Sequence, residues 1–132
     1  MIGGVSGWVL DVAALLEFAD ATSYATAVTR AARRHSLTML VPIGVLAEVY
    51  AARPLERNRL RLVPIRDEQD MWLLSLPSEM PVELLERYTA LADGDKTAAH
   101  VALLALQRGW PVVTDRDQLF QRIVPGVQTI PA

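Results

Sequence analysis

The chain has 132 residues, of which 52% are hydrophobic and 21% charged, and its formal net charge is −2. That length accommodates one domain with one core, and the apolar content excludes a disordered chain. The mild acidity excludes the strongly basic balance of a passive nucleic-acid binder, and the lack of cysteine excludes disulfides and thiolate chemistry.

No apolar run approaches the length of a bilayer span, and residues 1–7 lack the basic region and long apolar stretch of a leader. A soluble, cytoplasmic protein with no membrane association is expected. RNA stays open as a substrate despite the charge, because a carboxylate cluster that holds divalent metal concentrates negative charge which the ion neutralises.

In chain order, residues 7–12 form a short apolar run ending in a lone acid, the pattern of a buried strand. Residues 13–19, rich in Ala and Leu, predict a short helix. Thr22 or Ser23 caps a second helix that runs to about Arg34, where three arginines suit the negative end of the helix dipole. Residues 37–41 predict a second strand stopped by Pro42, and residues 43–52 a helix ended by Pro54.

Residues 60–65 alternate apolar and polar at first and predict a third strand, placed near an edge by Pro64. Asp67 is expected to cap a helix through Leu76. Pro77 and Pro81 punctuate before another helix to about Leu91. After a turn at residues 92–95, residues 97–108 predict a strong helix with Gly109 as its C-cap, followed by a fourth strand at 111–114. Residues 127–130 add a short edge strand. No internal repeat, low-complexity segment or long linker interrupts the pattern, so residues 1–132 are expected to be one domain.

Strands that alternate with helices predict an α/β fold with a central parallel sheet of four or five strands, covered on both faces. In such sheets ligands bind at the carboxyl ends of the strands. Asp11 and the pair Asp115 and Asp117 directly follow predicted strands and stand out for that reason. Asp11 reads equally as an N-cap for the helix from Ala13 and as a functional acid, because an unpaired carboxylate at the end of a buried strand is costly. Glu48 is the only acid in a helix that is otherwise largely apolar, which favours function over a solvated face. Asp93 and Asp95 precede the helix at 97–108, where Asp95 suits an N-cap. Asp115 and Asp117 also suit a turn.

His100 stands alone among alanines and reads as a packed, hydrogen-bonded side chain. Trp8, Trp72 and Trp110 read as packing residues, with no basic stripe interleaved among them. Arg30, Arg33, Arg34, Arg53, Arg57, Arg59 and Arg61 read as solubility charges or as phosphate contacts. No glycine-rich phosphate loop, Ser/His/Asp order or Cys/His metal spacing occurs. Taken as a set, carboxylates from separate elements at one sheet edge would form an oxygen-rich pocket suited to Mg²⁺ or Mn²⁺. Such an ion activates water for attack on a phosphodiester.

Three segments carry a resemblance: Val9-Leu10-Asp11-Val12-Ala13-Ala14-Leu15-Leu16; Leu46-Ala47-Glu48-Val49; and Ala99-His100-Val101-Ala102-Leu103-Leu104-Ala105 with Gly109-Trp110-Pro111-Val112-Val113-Thr114-Asp115. With these the chain resembles the PIN-domain family, especially the short toxin–antitoxin ribonucleases of VapC type, over nearly its whole length. The resemblance implies a three-layer α/β/α sandwich and a metal-dependent endoribonuclease. It also implies a homodimer, a cognate antitoxin partner and a site of three or four acids. Asp11 and Glu48 match the first two acids of that pattern. The third falls at Ala98, with Asp95 one helical turn earlier, about 4.5 Å along the axis. The fourth belongs to a Thr-x-Asp pattern, whereas here Thr114 is followed by Asp115, Arg116 and Asp117.

The expected set is therefore Asp11, Glu48, Asp95 and Asp115 as metal ligands, with Asp115 or Asp117 orienting water or a second ion. The alternative implied by Ala98 is a PIN-like domain without catalysis that binds protein or RNA.

Overall fold

In the computed structural model, which describes residues 6–132, five parallel strands lie in the order β3-β2-β1-β4-β5. They are β1 (Gly7–Leu10), β2 (Thr38–Pro42), β3 (Trp72–Ser75), β4 (Val112–Thr114) and β5 (Thr129–Pro131). The reading of residues 1–7 as free of a leader falls mostly outside the described range. The three central strands are almost wholly buried, as their unbroken apolar sequences require when helices cover both faces.

The chain first steps outward from β1 through α1 (Val12–Ala19) and α2 (Ser23–Arg34) to β2. It steps again through α3 (Ile43–Ala52), α4 (Glu56–Arg61) and α5 (Val63–Arg66) to β3. It then returns through α6 (Val82–Leu91) and α7 (Lys96–Arg108) to β4 on the far side of β1, and through α8 (Asp117–Ile123) to β5. Because parallel crossovers share one hand, reversing direction places the second set of helices on the opposite face of the sheet. The order reverses between β1 and β4, so the carboxyl ends of these two strands open onto the crevice where α/β sheets bind ligands.

Helix α7 runs under β1, β2 and β4, and its residues from Ala98 to Ala105 are all buried. Asp95 caps its start, accepting from the Ala98 N–H at 3.0 Å. Gly109 ends it at φ +69°, the left-handed conformation that favours glycine at this position. Gly7 matters for another reason: a Cβ there would collide with the Thr38 carbonyl and the Trp110 ring, so glycine lets β1 lie close to β2. No described helix is long and apolar enough to cross a membrane.

Two expectations are corrected. Residues 60–65 are not a strand but the end of α4 and the start of α5. Leu62 and Ile65 are the buried pair, three residues apart on one helical face, whereas Leu60 is 62% exposed. Pro64 sits in the first turn of α5, where its missing N–H is harmless. The helix expected from Asp67 to Leu76 is instead a turn followed by β3. Glu68 and Asp70 adopt positive φ, which breaks a helix, and Trp72–Ser75 then pairs in parallel with residues 39–42 of β2. Asp67 is the C-cap of α5, and its side chain pairs with Arg66 and does not start a helix.

His100 is 2% exposed, and its Nε2 lies 3.0 Å from the Ser75 hydroxyl at the end of β3. Burial pushes the imidazole below its ordinary pKa, and the charge of Glu79 opposes this only in part. The folded protein therefore holds His100 neutral at pH values where the unfolded chain takes up a proton. This contribution to stability is complete above the unfolded pKa of about 6.5 and is lost as pH falls from there toward the folded value. Urea midpoints at pH 7.5 and 5.5 should show a loss on acidification that His100→Gln reduces.

Candidate functional site

Asp11 immediately follows β1 and is fully buried. It occupies the N-cap position of α1, yet its side chain makes no capping bond. Its oxygens turn instead toward the loop after β4. Oδ2 accepts from the Thr114 hydroxyl at 2.7 Å and from Arg116 Nε at 3.0 Å, and Oδ1 accepts from Arg116 NH2 at 2.8 Å. The guanidinium thus grips both oxygens of the carboxylate, the geometry that suits arginine best.

Its third nitrogen reaches across the crevice: Arg116 NH1 donates to Asp95 Oδ2 at 2.8 Å. Asp95 divides its labour, one oxygen capping α7 and the other paired to Arg116. Desolvation pushes the Asp95 carboxyl up, but the Ala98 N–H and Arg116 together outweigh it and hold the pKa below its ordinary value. Arg116 is raised, first by its hydrogen bonds to Asp11, against partial burial. Thr114 Oγ1 also accepts from the Arg116 N–H at 2.9 Å, fixing the loop so that the side chain points inward. The Arg116 guanidinium carbon lies 5.7 Å from the centre of the Phe120 ring on α8.

In front of this ion pair lies a pocket of about 300 Å³ lined by Val12, Ala13, Leu16, Glu48, Asp95, Asp115 and Arg116. Glu48 reaches it from α3. The residue as a whole is exposed, but partial desolvation raises its pKa, the negative charges of Asp95 and Asp11 raise it further, and Arg116 opposes them. Asp115 is exposed on the rim. Glu48, Asp95 and Asp115 line this pocket together, while Asp11 is buried and joined to Asp95 through Arg116. Asp117 stands apart: it accepts from the Thr129 hydroxyl at 2.6 Å and from the Gln121 amide at 3.2 Å, joining α8 to β5. Ala98 is fully buried in the first turn of α7.

Sequence reasoning missed Arg116 as a member of the site. Its signal was its position, second after Thr114, where the Thr-x-Asp pattern would place an acid.

The donor set does not suit a divalent ion. Both oxygens of Asp11 are taken by a cation that the chain itself supplies, and one oxygen of Asp95 is taken by the same group. Among the described residues, no three acidic or imidazole side chains converge as a set able to hold a metal. Comparison with family models and with curated proteins finds no match to this chain.

Proposed function

We propose that the chain is a PIN-type domain that acts by binding, its acidic site closed by an internal cation and not used for hydrolysis. The observation that carries this reading is the Arg116 guanidinium, which bridges the buried Asp11 and the partly exposed Asp95 from the position where the family pattern calls for an acid. A second departure agrees with it: position 98, where the family pattern calls for the third acid, holds a fully buried alanine.

The other reading, a Mg²⁺- or Mn²⁺-dependent endoribonuclease, is favoured by one arrangement. Glu48 and Asp115 line the same pocket as Asp95 and have no ion-pair partner among the described residues. Calorimetry separates the two. The native protein should give no saturable binding of Mg²⁺ or Mn²⁺ at about millimolar concentration, whereas the Ala98→Asp/Arg116→Asp double variant should gain it. Stoichiometric binding by the native protein, with RNA cleavage that Asp11→Asn abolishes, would establish the nuclease reading instead.

A further inference from the structure

Away from the acidic pocket, two adjoining hollows of about 420 and 360 Å³ share Phe18, Thr29, Arg33 and Arg61 among their lining residues and form one groove. Arg30 belongs to one end of it, and Asp70 and Trp72 to the other. Three arginines face one aspartate here, so the groove is net positive in a chain of net charge −2. Asp70 and Trp72 lie at the amino end of β3, whereas Asp11 and Arg116 follow the carboxyl ends of β1 and β4. The groove and the acidic pocket thus sit at opposite edges of the sheet.

Two of the arginines are held in place without being used up. Arg33 donates through Nε and NH2 to a single oxygen of Asp70, at 3.2 and 3.1 Å. Arg61 donates through NH1 to the Ala19 carbonyl at the end of α1, at 3.1 Å. Arg30 precedes Arg33 by one turn of α2 and projects from the same side of the helix. Beneath them, the partly exposed Phe18 meets the largely buried Trp72 edge to face at 5.0 Å, and both line the apolar floor of the groove.

We propose that this groove binds single-stranded nucleic acid, with the arginines meeting phosphates and the bases lying toward the apolar floor. Cationic side chains beside aromatic ones are the combination that tracks a single strand, since the backbone supplies charge and every base supplies an apolar face. An acidic peptide would use the arginines but not the floor. A duplex keeps its bases stacked inside and cannot enter a hollow of this size. The proposal takes from the preceding section the view that the domain binds, but it uses none of the residues of the acidic site.

The test is fluorescence anisotropy with a labelled oligouridylate of about twelve nucleotides, titrated with the full chain at several salt concentrations. Arg30→Glu, at an exposed site, is expected to weaken binding about tenfold and to lower the slope of log K against log salt by about 0.7. Arg61→Gln should weaken it less, with the melting temperature followed to confirm folding. Equal affinity for native protein and Arg30→Glu overturns the proposal. Equal affinity for a duplex of the same length, or for a polyglutamate peptide, also overturns it. Loss of binding on Asp115→Ala with Arg30→Glu unaffected would place the ligand at the acidic edge and overturn it too. Metal binding by the native chain would defeat the closed-site reading and leave this one standing.

Discussion

Exchanging Arg116 for methionine is expected to destabilise the protein by about 3 kcal/mol at neutral pH, near the lower end for breaking a buried ion pair from one side. The lower end applies because the Arg116 side chain is 33% exposed, so water screens part of the attraction, while its partner Asp11 is 0% exposed. The deficit comes chiefly from leaving that carboxylate charged and enclosed with only the Thr114 hydroxyl for company. Replacing Asp11 as well should return part of that loss, because Arg116→Met/Asp11→Asn removes the uncompensated charge along with its counter-ion. A double variant no more stable than Arg116→Met, compared by denaturant midpoints at neutral pH, would mean that lost packing, and not an uncompensated charge, explains the change.

Phe120→Ala is expected to remove about 3–5 kcal/mol, the usual range for emptying a buried aromatic site. The ring is fully buried, among the largest side chains in the core, and sits against the Arg116 guanidinium. The backbone around it is anchored on both sides, by the Phe120 N–H to the Arg116 carbonyl at 3.3 Å and the Val124 N–H to the Phe120 carbonyl at 2.8 Å. The short helix α8 has few ways to collapse into the hole. Phe120→Leu should cost under about 1.5 kcal/mol, because it keeps most of the volume. Equal losses for the two variants, measured by urea denaturation, would rule out a cavity as the cause.

The sheet and the acidic edge were legible because both follow from local pattern. Unbroken apolar runs mark strands covered on both faces, and an acid at the end of such a run must lie at the carboxyl edge, where Asp11, Asp95 and Asp115 are found. The pairing of Asp11 with Arg116 was not legible as a contact, since it joins residues 105 positions apart and only the place of Arg116, second after Thr114, pointed to it. The same limit hid the groove: Phe18, Arg33, Arg61 and Trp72 come from four separate segments, and no stretch of sequence interleaves aromatic with basic residues. The exchange of helix and strand between residues 60 and 76 has a different cause. Elements of four to six residues hold too few apolar positions to tell a period of 2 from one of 3.6.

The place of β1 between β2 and β4 also bears on how the chain assembles. Strand β2 follows β1 within one helical excursion, but β4 arrives only after α3, α4, α5, β3, α6 and α7 have been made. Contacts so distant in the chain close late, because a long loop must be ordered before they form. During synthesis Asp11 therefore stays hydrated until residue 116 has left the ribosome. The enclosure of that carboxylate and the arrival of its counter-charge become one event, which couples the pairing of β1 with β4 to the neutralisation of the crevice between them.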